Sequence, residues 1–223
     1  MALVFASFGR WVRGVTRSGA LAGMLVCFVL YASVGWPGFA ALLYVFALAW
    51  TSTRLGAERK RRLGTAEKPE GRKASQVLAN LGMAAISALF YAASSRPLWL
   101  LVLASTLAEA AADTVSSELG QAASARTRLI TTWAEVAPGT DGGITLIGTL
   151  AGIAAATTVS LSCVLAGLIP PRWLLPAAAA GAAGMVADSF LGAWLERRSW
   201  LNNDATNFLG TVAAAAVSLL LGA

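Results

Sequence analysis

The chain reads as an all-α integral membrane protein of about seven transmembrane helices, and three observations predict it. Of its 223 residues, 57% are hydrophobic and only 13% charged, a balance outside the range of soluble domains. Apolar stretches of roughly bilayer-spanning length recur from end to end. The connections between them alternate short and long, and the basic residues crowd into the long ones.

Taken in order, residues 1–18 carry Arg10, Arg13 and Arg17 among Val, Phe and Trp, the pattern of a short amphipathic helix lying in the interface. These arginines ahead of an apolar run also suit a signal peptide. The run 19–35 is longer than a usual h-region, however, and no clear A-x-A site follows, so a retained anchor is expected. Further apolar segments fall at 38–53, 76–93, 98–119, 144–168, 174–195 and 205–222. Gly35-Trp36-Pro37-Gly38, Ser94-Ser95-Arg96-Pro97 and Pro170-Pro171-Arg172 are short, turn-like breaks. The long connections are 54–75, 120–143 and 196–204.

With the N-terminus inside, every one of the 17 Lys and Arg residues except Arg96 and Arg172 lies on one side. The positive-inside rule makes that side cytoplasmic, giving an N-in, C-out topology and a single transmembrane domain over 19–223. A bacterial-type inner membrane with the active face toward the cytoplasm follows. Trp11, Trp36, Trp99, Trp173 and Trp200 flank apolar segments, as an interfacial aromatic belt requires. The chain has no histidine, which excludes histidine acid–base, metal and switch chemistry. Cys27 and Cys163 both fall inside apolar runs and read as inert packing residues without a disulfide framework. No feature calls for a nucleic-acid partner.

The functional signal is acidic. Ala108 to Gly120 brings Glu109, Asp113 and Glu118 into the end of the fourth apolar segment, and Val186 to Gly192 repeats the pattern with Asp188. Charges at membrane depth cost kilocalories unless paired, metal-bound or wet, and they mark function by default. At 100° per residue, Ser105, Glu109, Ala112 and Ser116 share a stripe with Asp113 at its edge, while Glu118 faces away. Gly181, Gly184, Asp188 and Gly192 share one narrow face of the sixth segment. A weak internal repeat joins these pieces. Ala112-Asp113-Thr114 with Leu146 to Ala151 is answered by Ala187-Asp188-Ser189 with Phe208 to Ala213, so helices 4–5 and 6–7 read as two copies.

Three polar connections lie near these helix ends. Arg126-Thr127-Arg128 is followed by Pro138-Gly139-Thr140-Asp141-Gly142-Gly143, a Gly-rich turn before a helix whose free N–H groups suit phosphate. Asn202, Asn203, Asp204 and Asn207 exceed what one N-cap needs. In the 54–75 loop, the Arg59-Lys60-Arg61-Arg62 run is explained by topology or anionic lipid. Arg72 and Lys73, just before Gln76 and Asn80, better suit a specific phosphate contact. Carboxylates, a Gly turn and basic residues are the parts of Mg²⁺-assisted phosphoryl transfer.

From Arg54 onward these motifs resemble the DUF92 membrane-protein family, which includes TMEM19-like proteins and plant phytyl-phosphate kinase. The matching stretches are Thr53-Arg54-Leu55-Gly56 with the basic loop, Gln76 to Asn80, Ala108 to Gly120, Pro138 to Gly143, Asp188 to Ala193, and Asn202 to Phe208. One departure is Glu196, where glutamine is expected. The resemblance implies a kinase that converts an isoprenyl (phytyl or geranylgeranyl) monophosphate in the bilayer to the diphosphate. The donor is a cytosolic nucleoside triphosphate, with CTP favoured, and Mg²⁺ is the metal. Under that reading Glu109, Asp113, Glu118, Asp188 and Asp204 are the catalytic candidates, the first four as metal ligands. Lys60, Arg72, Asn80, Arg128, Asp141, Gly142, Gly143, Asn203 and Asn207 are the candidates for holding nucleotide and phosphate. The glycine face around Asp188 offers either a groove for a slender prenyl tail or close helix packing.

A cation-coupled transporter is the alternative, because repeated helices with buried carboxylates also build ion pathways. Depth discriminates the two: a carrier wants its carboxylates near the midplane. A CDP-alcohol phosphotransferase would need paired D-G and D-x-x-x-D spacing that this chain lacks.

Overall fold

The computed structural model describes residues 1–123 and 126–222. Ser124 and Ala125, within the expected 120–143 connection, and Ala223 lie outside the described residues. Among the described residues there are nine α-helices: α1 (Ala2–Trp11), α2 (Arg17–Val34), α3 (Trp36–Arg54), α4 (Ala57–Leu63), α5 (Ala74–Ser94), α6 (Leu98–Ala122), α7 (Leu146–Leu165), α8 (Leu174–Trp194) and α9 (Asn203–Leu221). Six are long and apolar enough to cross a membrane. The pair α3–α4, bent by 64°, brings the number to seven when counted as one span. The seven expected segments therefore correspond to helices, with ends that move by about one turn.

Local chemistry sets the boundaries. Thr16 caps α2, its hydroxyl accepting from the Gly19 N–H at 3.1 Å, and Thr145 and Asn202 cap α7 and α9 in the same way. Gly35 turns the α2–α3 corner at φ 70°, with Pro37 in the first turn of α3. α1 is a short helix within the expected amphipathic segment 1–18. Leu3, Val4, Phe8 and Trp11 are exposed along it, while Phe5 packs edge-on against Phe39 and Phe46 at 6.0 and 5.4 Å.

Helix α6 is the central post. It contacts α3, α5, α7, α8 and α9, and its residues Leu101 to Ala112 are buried without a break. Small residues allow that crowding. A Cβ at Gly148 would meet the Ser116 carbonyl at 2.6 Å, and one at Gly181 would meet Ala108 at 2.8 Å. Cys27 and Cys163 are free and fully buried in this core.

The long connections gather at one end of the bundle. There the Gly56 turn packs on Ala122, Gly71 packs on Gly14, and Gly142 packs on Ala193. Part of the 120–143 connection forms a small antiparallel sheet, β1 (Thr127–Leu129) between β2 (Glu135–Val136) and β3 (Gly143–Ile144). Alternation is too short in these strands for the periodicity to have signalled them.

Candidate functional site

A cavity of about 310 Å³ opens at the loop-rich end. Asp113, Thr114 and Ser117 of α6 and Asp188 and Ser189 of α8 form its floor and walls, with Gln76 and Asn80 of α5 and Asn203 and Asn207 of α9 beside them. The segment 139–145 roofs it.

The roof shows why its glycines are where they are. Gly142 sits at φ 73°, and a Cβ there would meet Ala193 at 2.4 Å. Gly192 answers from α8, where a Cβ would lie 2.9 Å from the Gly142 nitrogen. The Gly143 N–H donates to the Thr140 carbonyl at 2.8 Å. These glycines let the loop seat flat on the end of α8. The N-terminus of α7 is closed by Thr145, whose hydroxyl accepts from Gly148 at 2.9 Å. The expected open phosphate cradle at a helix N-terminus is therefore replaced by a tightly packed turn whose outer face lines the cavity.

Arg72 is held by backbone rather than by its side chain. The Arg72 N–H donates to the Gly14 carbonyl at 3.1 Å, and the Thr16 N–H donates to the Arg72 carbonyl at 2.9 Å. These two bonds staple the 64–72 strap to the turn ahead of α2. Gly19 and Gly71 make room, since a Cβ at Gly19 would lie 2.2 Å from the Arg72 carbonyl oxygen. The guanidinium then reaches Thr114 Oγ1 at 3.4 Å, one residue from Asp113. Gln76 Oε1 accepts from the Lys73 N–H at 2.8 Å and fixes the start of α5.

The charge balance of the cavity is acidic. Among the described residues, Asp113, Glu118, Asp141, Asp188, Glu196 and Glu67 line it, against the single cation Arg72. Partial burial within the roof pushes the Asp141 carboxyl above its ordinary range, with the Arg197 guanidinium pulling the other way. Asp188 Oδ2 and both carboxylate oxygens of Glu109 are buried with no hydrogen-bond partner among the described residues. Buried carboxylate oxygens demand a proton, a donor or a cation. All of these donors are hard oxygens, the set that suits Mg²⁺, which takes one or two carboxylates together with phosphate oxygens. Among the described residues no three carboxylates are placed to share one ion. The four expected as a metal set are thus distributed: Asp113, Glu118 and Asp188 line the cavity, Glu118 being paired with Lys60, and Glu109 lies below it.

Ten of the expected residues line this cavity: Arg72, Asn80, Asp113, Glu118, Asp141, Gly142, Gly143, Asp188, Asn203 and Asn207. Four do not. Lys60, expected to touch nucleotide, is 1% exposed and turned inward. Its ammonium pairs with Glu118 Oε2 and donates to the Thr53 and Ser52 carbonyls at 2.8 and 3.3 Å. An ammonium placed beside two helix-end carbonyls and a carboxylate has its donors filled. Arg128 alternates outward on β1 and donates to the Trp133 carbonyl at 2.8 Å on the surface. Asp204 lies in the first turn of α9, where its charge suits the helix dipole. Glu109 is 1% exposed below the cavity, against Gly184 and Gly210.

Glu118 lines the cavity although an ideal wheel turns it away, and Lys60 of α4 pairs with it at that side of α6. The α6 helix continues unbroken to Ala122. The glycine face of α8 is a packing face. A Cβ at Gly184 would meet Glu109 Cγ at 2.6 Å, the Gly210 carbonyl at 2.7 Å and Ala214 at 2.8 Å, so no tail groove runs there. The sequence reading missed Thr114, Ser117, Ser189 and Glu196 as lining residues. Their signal was weak: a hydroxyl beside Asp113, Glu118 and Asp188, and a lone glutamate where an apolar helix ends.

Comparison with known proteins agrees with this architecture. Residues 1–215 match the model of the family described as integral membrane protein DUF92. An uncharacterised membrane protein of Methanocaldococcus jannaschii is 35% identical over 94% of this chain and 86% of its own length. Protein VTE6, chloroplastic, of Arabidopsis thaliana is 30% identical over 94% of this chain and 66% of its own length. Protein PGR of the same plant is 32% identical over 87% of this chain and 75% of its own length. No solved structure matches. A match that runs almost end to end, over a helical bundle of this kind, fixes the assignment: this chain belongs to the DUF92 family of integral membrane proteins.

Proposed function

We propose that this chain is a membrane prenyl-phosphate kinase. It transfers a phosphoryl group from a nucleoside triphosphate, with CTP favoured, to an isoprenyl monophosphate such as phytyl or geranylgeranyl phosphate. The observation that carries the reading is the meeting of Asp113, Asp188 and Arg72 in one acidic cavity at the loop-rich end. By the positive-inside rule that end is cytoplasmic, where nucleotide is found. The family resemblance, with its phytyl-phosphate kinase, supplies the substrate class.

In the transfer, an oxygen of the prenyl monophosphate forms a bond to the γ-phosphorus of the nucleotide. The bond from that phosphorus to the β,γ-bridging oxygen breaks, and a nucleoside diphosphate leaves with the electron pair. Asp113 and Asp188 would hold Mg²⁺, which offsets the charge spread over the phosphate oxygens. Arg72 steadies the acceptor phosphate, and a fixed guanidinium holds two oxygens in a plane better than a mobile ammonium does. Asn80, Asn203 and Asn207 present amide donors without adding charge.

The test uses purified protein, Mg²⁺, labelled nucleoside triphosphates and phytyl or geranylgeranyl monophosphate, with the diphosphate resolved as product. Asp113→Asn and Asp188→Asn should each lower kcat by about 10²–10³, the usual effect of removing one electrostatic contributor, while the protein stays folded. Turnover near wild type in both variants refutes the assignment. Glu109, buried in mid-helix without a partner, is the observation favouring a cation-coupled transporter. Against it, no residue of α6 before Asp113 lines the cavity. Cation-driven uptake into proteoliposomes without nucleotide would favour the carrier.

A further inference from the structure

A second cavity, of about 650 Å³ and lined mainly by apolar atoms, lies under α1 between α2, α3 and α5. Phe46 and Leu42 of α3, Gly23 of α2 and Leu81 of α5 form its walls, and Ala110 of α6 lies at its base. Its volume falls in the ~300–1,000 Å³ range of pockets that enclose extended small ligands. It is not separate from the acidic cavity, for Glu67, Arg72, Gln76 and Asn80 line both. Its mouth is cationic: Arg13, Arg54, Arg61, Lys68 and Arg72 line it, with Glu67 as the only acid among the described residues. An apolar chamber with a basic rim opening onto a carboxylate site fits an amphiphile with an apolar tail and a multiply anionic head.

We infer that this chamber holds the isoprenyl tail of the monophosphate substrate, with the head passing Arg72, Gln76 and Asn80 into the acidic cavity. The inference rests on the kinase reading for the chemistry of the head. The α1 helix, with Phe5 against Phe46, is the lid over the tail, and its exposed apolar edge lies where a bilayer-resident chain enters. Burying the tail between helices spares the ~0.8 kcal/mol per CH₂ that extraction to water would cost.

Gly23 supplies a clean perturbation, because a Cβ there meets no heavy atom within 4 Å. Gly23→Leu should extend a side chain from that open position into the chamber and change the ratio of KM values for C20 and C10 monophosphates by tenfold or more. Equal changes for both lengths, or none, overturn the inference. A second measurement is independent of turnover. A geranylgeranyl monophosphate with a diazirine at the tail end is photolysed on the wild-type protein in nanodiscs, and the adducts are mapped by mass spectrometry. Adducts on α2, α3 or α5 that geranylgeranyl monophosphate competes away support the chamber even if no phosphoryl transfer is found. Adducts on α8 and α9 with transfer intact overturn the chamber and leave the kinase standing. Adducts in the chamber competed equally by phosphatidylglycerol show a general lipid site and overturn it as well.

Discussion

The Lys60–Glu118 pair gives the sharpest test of the geometry, because sequence and structure assign Lys60 opposite roles. As a member of a basic loop run it reads as a nucleotide contact. In the folded chain it is 1% exposed, its partner Glu118 is 13% exposed, and its ammonium also serves the Thr53 and Ser52 carbonyls. Lys60→Met preserves much of the apolar stem but leaves Glu118 and the end of α3 without their donor. Removing one member of a buried pair costs about 3–5 kcal/mol. Glu118 also borders the cavity, so water can reach it and the lower end of that range, about 3 kcal/mol, is expected. Adding Glu118→Gln should recover part of the loss, since a neutral amide is cheaper to leave beside a methionine than a carboxylate. The resulting coupling energy is expected to lie within about 0.5–3 kcal/mol. Unfolding of detergent-solubilised protein by SDS titration measures it, with the KM for nucleotide recorded in parallel. A Lys60→Met protein as stable as wild type but with a raised nucleotide KM would refute the structural role and restore the contact read from the sequence.

Two further outcomes follow from the helix crossings and the charge pattern. Gly184→Leu must displace backbone as well as side chain, because its Cβ would lie 2.7 Å from the Gly210 carbonyl. It should cost about 1–3 kcal/mol by the same unfolding titration, with no dependence of KM on prenyl length; a chain-length effect at unchanged stability would place the tail on α8 after all. For topology, Glu70→Cys and Ser95→Cys are both at exposed positions, and native Cys27 and Cys163 are fully buried and silent. An impermeant maleimide should label Cys at 70 only from the cytoplasmic side and Cys at 95 only from the other, and the reverse pattern would put the acidic cavity out of reach of cytosolic nucleotide.

How much of this was legible follows from the range of each interaction. Helix positions were readable because apolar length and turn chemistry are local: Gly35-Trp36-Pro37-Gly38 marks the first corner by itself, and the Thr16 and Asn202 caps act within three residues. Asp113 and Asp188 were readable because a carboxylate in an apolar helix is anomalous wherever it packs. Partner choice was not readable. Lys60 and Glu118 are 58 residues apart, and only the 64° bend between α3 and α4 brings them together; in a run of four basic residues nothing local singles out the second. The same holds for the glycines. Gly142 and Gly192 look like a phosphate turn and a tail groove when read separately, and only their mutual contact shows that each exists to admit the other. Arg72 lies between these cases. Its place ahead of Gln76 and Asn80 reads in sequence as a phosphate contact, but what fixes its position is the pair of backbone bonds to Gly14 and Thr16. Those bonds commit its main chain, and the guanidinium, reaching Thr114 Oγ1, stands at the junction of the acidic cavity and the apolar chamber. A residue with its backbone fixed by one element and its side chain lining two cavities stands where the proposed substrate, head in one and tail in the other, would be oriented.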